Sequence, residues 1–145
     1  MNLLSERLTN ITNLIPQKHP FVMVSTLEYF SEKEVISTFT VAADNIFYKN
    51  NALTEPGLIE NMAQTVALHT GYDFFRKNEQ APTGYIGSVK KAVIHTLPKL
   101  GEIITTKATI LQEFMGITMV SIEVTDDKGN VLALSEMKTV IAAND

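Results

Sequence analysis

The sequence contains no cysteine and no tryptophan. Disulfide bonds, thiolate nucleophiles and thiolate metal ligands are therefore excluded. No segment approaches the ~18 consecutive apolar residues of a membrane-spanning helix. The first residues also lack the basic start and apolar run of a signal peptide. We therefore expect a cytoplasmic protein with no part in a membrane.

Positive charge is also scarce, with 12 Lys and Arg against 16 Asp and Glu. The basic residues form no run interleaved with aromatics, so a nucleic-acid partner is not expected. No pair of the 3 histidines has metal-ligand spacing, and we predict neither a metal nor a cofactor. A length of 145 residues with 45% hydrophobic residues predicts a single domain over residues 1–145.

Residues 56–75 predict a long central helix. Pro56 suits a first helical turn, where its missing N–H leaves no bond unmade. Apolar and small residues recur at helical spacing and predict the core face: Ile59, Met62, Ala63, Val66, Ala67, Thr70 and Phe74. Leu58, Leu68 and Tyr72 lie elsewhere on the helix. We expect them to add apolar surface that a sheet or a partner chain covers.

The rest of the chain predicts mainly antiparallel strands. Residues 4–14 have the spacing of a short amphipathic helix, and residues 44–55 and 76–82 read as polar connections. Strands are predicted over residues 21–30, 34–41, 84–97, 102–114, 117–126 and 131–142. One long helix between two early and four later strands is the order of the α+β hot-dog fold, in which an antiparallel sheet wraps round the helix.

The chain contains four stretches that carry a family resemblance: IPQKHPFVMV, LIENMAQTVALHTG, GYIGSVKKAVIHTLPKLGE and DDKGNVLALSE. They resemble the 3-hydroxyacyl-acyl carrier protein dehydratases of fatty-acid synthesis, and more closely their shortened relatives of aryl-polyene and flexirubin-type pigment pathways. The resemblance implies dehydration of thioesters delivered by acyl carrier protein. It also implies a homodimer or higher hot-dog oligomer, or a heterodimer with a related subunit.

Glu60 and Gln64 are the first candidate catalytic residues. They are neighbours on one helix face. Dehydration needs a base for the proton next to the carbonyl and an acid for the departing hydroxyl. Glu60 suits this work, and Gln64 can orient its carboxylate. Spacing alone also fits a first-turn glutamate favoured by the helix dipole, with Gln64 as its solvent-side neighbour.

The loop histidine of the resembled family has no counterpart, since no histidine lies between His19 and His69. Comparison of the loops places Asn51, or less closely Tyr48, near the missing position. His19 is the alternative base. Its other interpretation is structural, because it stands where the chain enters the first strand.

The candidate substrate-binding residues are Gly57, Leu58, Ala67, Gly71, Tyr85 and Gly87. The first two carry N–H groups at the helix start, which favour negative charge on a thioester oxygen. Ala67 and Gly71 continue the line of Glu60 and Gln64 along the helix, and they have almost no side chain. For the last two, the resemblance implies positions beside the acyl chain, and ordinary strand packing is the alternative.

Two other functions fit the same residues. A hot-dog thioesterase also uses a helix carboxylate, in that case to activate water. A non-catalytic acyl-binding or partner subunit needs no acid or base. For an acidic carrier protein, Arg76, Lys77, Lys90 and Lys91 are the candidate docking cations, with a solvated charged surface as the alternative.

Overall fold

The computed structural model of the chain describes residues 1–141. The elements in chain order are β1 (Thr26–Phe30), β2 (Glu34–Thr40), β3 (Tyr48–Lys49), β4 (Ala52–Leu53), α1 (Glu55–Arg76), β5 (Gly84–Ile94), β6 (Ile103–Phe114), β7 (Ile117–Thr125) and β8 (Val131–Ile141). The predicted long helix, first hairpin and later strands are thus present, although β1 begins later and β5 ends earlier than predicted. Ala142, the end of the last predicted strand, lies outside the described residues.

Across residues 1–141, the long strands form one antiparallel sheet in the order β1-β2-β6-β7-β8-β5. Met115 and Gly116 make the turn between β6 and β7 with φ angles of 52° and 78°. Such two-residue hairpin turns need a positive φ at both positions. The sheet wraps round α1, which approaches β2 and β6 most closely. In residues 1–141, no helix is long and apolar enough to cross a bilayer.

The deeply buried side of α1 differs from the predicted core face. Met62 and Val66 are buried as predicted, whereas Ile59, Ala63, Ala67, Thr70 and Phe74 are only partly buried. Leu58 and Leu68 are completely buried within the single chain. Of the two predicted covers for these leucines, a sheet or a partner chain, the chain itself supplies the cover, and neither leucine is left exposed for a partner. Tyr72 is partly buried and packs edge-on against Phe30.

Polar pairs between α1 and the sheet explain this difference. Thr106 donates a hydrogen bond of 2.6 Å to Asn61 Oδ1, and the hydroxyl oxygens of Thr65 and Ser37 are 2.7 Å apart. Because these groups satisfy one another, polar helix residues are accommodated against β2 and β6. A prediction based on apolar residues alone places these polar helix positions on the solvent side.

The predicted helix over residues 4–14 is wrong, because this segment follows the outer edge of β1. Leu8 and Leu27 exchange two backbone hydrogen bonds of 2.9 Å, and Leu3 N–H donates to Phe30 O at 2.7 Å. Only Ile11–Asn13 form a short 3-10 turn. Pairing with a strand satisfies more backbone groups of both segments than an isolated short helix would.

The opposite edge of the sheet is β5, which has no neighbouring strand on its outer side within the described residues. Tyr85 and Val93 are 61% and 48% exposed. The pairing of β5 with β8 skips Gly87 and Lys90, which are bulge positions.

The predicted loop over residues 44–55 contains the short hairpin of β3 and β4. Asn50 and Asn51 form its turn, with φ angles of 53° and 66°. Asparagine tolerates this left-handed backbone better than most residues. The hairpin is held near the turn before β6, because Leu53 N–H donates to Pro98 O at 2.9 Å.

Candidate functional site

Glu60 and Gln64 contact each other on α1. Gln64 Nε2 donates a hydrogen bond of 3.0 Å to Glu60 Oε2. The Gln64 side chain is almost completely buried, whereas Glu60 is partly buried. This contact is the geometry that the predicted orientation of Glu60 by Gln64 requires.

The amide of Gln64 is fixed by the segment that leads into β1. Met23 N–H donates to Gln64 Oε1 at 2.7 Å, and Gln64 Nε2 donates to Phe21 O at 2.9 Å. Because the Met23 N–H requires an acceptor, the amide oxygen faces Met23 and the amide nitrogen faces Glu60. Glu60 therefore receives a donor whose direction is set by the protein backbone.

Two asparagines, which the sequence analysis missed, hold the same segment. Asn61 Nδ2 donates to Met23 O at 2.7 Å, and Asn45 Nδ2 donates to Val22 O at 3.2 Å. A signal for Asn61 was available, since it precedes Gln64 by three residues and lies on the same helix side. Asn45 carries no comparable local signal, because its partner is distant in sequence.

A cavity of about 650 Å³ lies beside Glu60. Its helix wall consists of small or medium side chains, including Ala63, Val66 and Ala67, and its other walls come from residues 13–17, 80–86 and the ends of β7 and β8. Among the lining residues within 1–141, Glu60 alone carries a carboxylate. The cavity thus joins one acidic group to a mostly apolar space of the size used for small ligands.

Gly71 borders this cavity but has a second role that the sequence did not indicate. A β-carbon at residue 71 would collide with the backbone oxygen of Leu14. The missing side chain therefore allows the chain at Leu14 to pack directly on α1.

Tyr85, Ala67 and Gly87 differ in their position relative to the cavity beside Glu60. Tyr85 and Ala67 border the cavity. Gly87 follows the last lining residue of β5, Ile86, and a β-carbon there would lie 2.9 Å from Val140 Cγ2. Gly87 thus sits against β8 at a bulge.

The predicted amide donors at the helix start lie elsewhere. Leu58 N–H donates to Thr54 O at 3.1 Å, as the first hydrogen bond of the helix. Gly57 is buried against Leu53 and Phe47. Neither Gly57 nor Leu58 is among the described residues that border the cavity beside Glu60.

Asn51 and His19 are also away from this cavity in the single chain. The Tyr48 hydroxyl donates to Asn51 Oδ1 at 3.3 Å in the exposed β3–β4 turn. The His19 side chain is 71% exposed, with Nε2 3.9 Å from Asp44 Oδ2. The described part of one chain therefore brings Glu60 and Gln64 together without Asn51 or His19.

A second cavity of about 520 Å³ lies toward the end of α1. Thr70, Thr118 and Ile141 border both cavities. His69 lines the second one, where its Nε2 is 2.8 Å from Ser31 O and its ring stacks on Phe30. In residues 1–141, no three His, Cys, Asp or Glu side chains are placed to hold a metal ion.

A family model described as ApeP-like, ApeP dehydratase, matches residues 9–143. The chain belongs to this family. The match confirms the resemblance to dehydratases that the sequence motifs indicated. A comparison of this ApeP-like chain with curated proteins gives no match.

Solved structures share the fold at low sequence identity. A chain of the dehydratase heterocomplex ApeI:P from Xenorhabdus doucetiae has a TM-score of 0.84 and 18% identity, over 92% of this chain and 91% of that one. The PaaI protein of the phenylacetic acid degradation operon of E. coli has a TM-score of 0.63 and 14% identity, over 81% and 79%. The protein smu.793 of Streptococcus mutans, bound to acetyl CoA, also has a TM-score of 0.63, with 12% identity over 81% and 88%. These similarities confirm the predicted hot-dog fold.

Proposed function

We propose that this ApeP-like chain, a single hot-dog domain over residues 1–145, dehydrates 3-hydroxyacyl thioesters presented by acyl carrier protein in fatty-acid or polyene synthesis. The observation that carries the proposal is the Glu60 carboxylate, held by buried Gln64 at the border of a largely apolar cavity. Membership in a dehydratase family supports the reaction class. The cytoplasmic location predicted from the sequence belongs to the same proposal.

Glu60 is the proposed acid–base group. Its carboxylate removes the proton next to the thioester carbonyl and gives a proton to the 3-hydroxyl, which leaves as water. The product is the enoyl thioester, and the carboxylate is regenerated. This elimination changes no oxidation state of the enzyme, so the proposal includes no cofactor. Gln64 keeps Glu60 Oε2 directed by its own hydrogen bond.

A second candidate is a non-catalytic acyl-binding or partner subunit. It is favoured by the placement of Asn51 and His19, which do not border the cavity of Glu60 in the described part of the chain. Hot-dog thioesterase activity is the third possibility, because a carboxylate beside a thioester can also activate water.

One experiment separates these functions. The protein is incubated with 3-hydroxyacyl and enoyl thioesters of carrier protein, and the products are followed by mass, with Glu60→Gln as the matched control. Loss or gain of water that depends on Glu60 supports the dehydratase. Release of free thiol supports the thioesterase. Binding without either reaction supports the acyl-binding subunit.

We further propose assembly through β5 into a homodimer, a higher hot-dog oligomer or a heterodimer with a related subunit. The support is the unpaired outer side of β5 and its exposed apolar residues within the described chain. Light scattering on the chain alone and with a candidate subunit measures the assembly. The proposed assembly would be contradicted if the chain is a monomer at micromolar concentration and also does not bind a related subunit.

A further inference from the structure

A line of hydrogen bonds leads from the sheet to Glu60. Thr106 Oγ1 donates to Asn61 Oδ1 at 2.6 Å, and Asn61 Nδ2 donates to Met23 O at 2.7 Å. Met23 N–H donates to Gln64 Oε1 at 2.7 Å, and Gln64 Nε2 donates to Glu60 Oε2 at 3.0 Å. Every residue of this line except Glu60 is buried. The line therefore connects the middle of β6 with the proposed acid–base group.

The backbone of Met23 sets the direction of two side-chain amides. Its carbonyl oxygen can only accept, so the amide nitrogen of Asn61 faces Met23 and the amide oxygen faces the Thr106 hydroxyl. Its N–H can only donate, so the amide oxygen of Gln64 faces Met23 and the nitrogen faces Glu60. Turning either amide over would bring two donors or two acceptors together. A buried network whose members are all satisfied is rigid for this reason.

The neighbouring polar pair between α1 and the sheet has no such connection. Ser37 lies opposite Thr106 in the sheet, and its hydroxyl oxygen is 2.7 Å from that of Thr65. Thr65 Oγ1 also donates to the backbone oxygen of Asn61 at 2.8 Å, and within residues 1–141 the side-chain hydrogen bonds of this pair end there. Both pairs satisfy buried polar groups, but the pair that contains Thr106 is the one joined to Glu60.

We propose that Thr106 and Asn61 are positioning residues, which hold the Glu60 carboxylate in one orientation by way of Met23 and Gln64. The inference rests on the proposed function. A group that transfers protons must stay within hydrogen-bond reach of the substrate proton. Glu60 is only partly buried, and the Gln64 amide is the side chain that donates to it. The orientation of Glu60 is therefore as precise as that of Gln64.

The test compares Thr106→Val with Thr65→Val. Both substitutions keep the shape of the side chain and remove a hydroxyl that is buried between α1 and the sheet. Thr106→Ser retains the hydroxyl, and Thr106→Ala repeats the comparison should the valine variant not fold. Turnover and KM are measured with 3-hydroxyacyl and enoyl thioesters of carrier protein, and stability by urea unfolding. The NMR signals of the Gln64 side-chain amide report its orientation without reference to turnover.

The two valine variants should lose similar stability, because each leaves a buried polar partner unpaired. Thr106→Val should also lower kcat by about 10-fold, which is less than the ~100-fold that a misplacement of about 1 Å can cost. Its KM should be unchanged, because Thr106 does not border the cavity beside Glu60. The Gln64 amide signals should shift in Thr106→Val and remain in place in Thr65→Val. Thr106→Ser should restore both the turnover and the signals.

Three results would overturn the positioning role and leave the proposed function standing. The first is wild-type turnover of Thr106→Val, and the second is an equal loss of turnover in Thr65→Val. The third is a set of unshifted Gln64 amide signals in Thr106→Val, which would show that any loss of rate arises elsewhere. Absence of turnover in the wild type would overturn the proposed function together with the positioning role.

Discussion

Gly71 lies directly against the backbone oxygen of Leu14, where a β-carbon on residue 71 would overlap that oxygen. Gly71→Ala should destabilise the fold by roughly 1–3 kcal/mol, because overpacking outweighs the ~1 kcal/mol that alanine gains within a helix. Gly84→Ala is the matched control, since the nearest atom to its added carbon, Val140 O, is 3.8 Å away. Urea unfolding compares both variants, and a wild-type midpoint for Gly71→Ala would contradict the close packing.

Removal of the Gln64 amide should affect both stability and reaction. Gln64→Leu leaves the Met23 N–H and the Phe21 carbonyl without their partner, at a cost of roughly 1–3 kcal/mol for each buried group left unpaired. The substitution also removes the hydrogen bond that orients Glu60, so turnover should fall in the protein that remains folded. Gln112→Leu, at an exposed position of β6, is the control and should change stability by less than about 0.5 kcal/mol. Unchanged unfolding of Gln64→Leu would show that the hydrogen bonds of Gln64 to Met23 and Phe21 do not contribute to stability.

Glu60→Gln tests the acid–base group itself. The substitution keeps size and most packing but removes the titrating carboxylate, so stability should hold while turnover falls by roughly 100-fold or more. Asn51→Ala should reduce turnover less, because an amide can orient substrate but does not accept a proton near neutral pH. His19→Ala decides between its two interpretations. A large loss of rate without loss of folding would make His19 the base, supplied across a subunit interface.

The turn between β7 and β8 should contribute stability that depends on pH. Hydrogen bonds from the side chain and backbone of Asn130 lower the pKa of Asp126 below its ordinary value of 3.8. A carboxyl with a lowered pKa in the folded state stabilises that state above the unfolded pKa, and this contribution disappears as the pH falls through the folded pKa. Asn130→Ala should therefore raise the pKa of Asp126 and be less stable than the wild type at neutral pH. The difference should shrink below about pH 4, and a difference independent of pH would refute the assignment.

Delivery by an acidic carrier protein should depend on Lys90 and Lys91. Arg76 and Lys77, predicted with them, form ion pairs with Asp73 at 2.9 and 3.1 Å. Within residues 1–141, neither Lys90 nor Lys91 takes part in an ion pair, although Lys91 lies opposite Glu136 in the sheet. Reversing the charges of Lys90 and Lys91 should slow reaction with carrier-protein substrates more than with a pantetheine analogue. Added salt should narrow the difference. Lys128→Glu is the control for a change of charge elsewhere on the surface. Equal slowing with both substrates would contradict carrier-protein docking at Lys90 and Lys91.

The positions of the long strands along the chain were predictable because their signals are local. Met115-Gly116 and the sequence around Asp126 indicate turns wherever they occur in a chain. The buried side of α1 was not predictable, because Asn61 and Thr65 are buried only where Thr106 and Ser37 meet them. Likewise, the pairing of residues 3–8 with β1 joins segments that are distant in sequence.

The candidate site was likewise predictable only in part. The neighbourhood of Glu60 and Gln64 follows from helix geometry and was predicted. The attachment of Gln64 to Phe21 and Met23 joins residues about forty positions apart, and no local pattern reveals it.

The unequal edges of the sheet bear on how far this protein can assemble. Residues 3–8 occupy part of the outer side of β1, while β5 has no neighbouring strand on its outer side within the described residues. A sheet with two free sides can add copies without end and grow into a fibre, whereas a sheet with one free side joins one neighbour and stops. In the assembly proposed through β5, residues 3–8 would keep the edge at β1 from pairing with a further copy, and their deletion should allow assemblies longer than a pair.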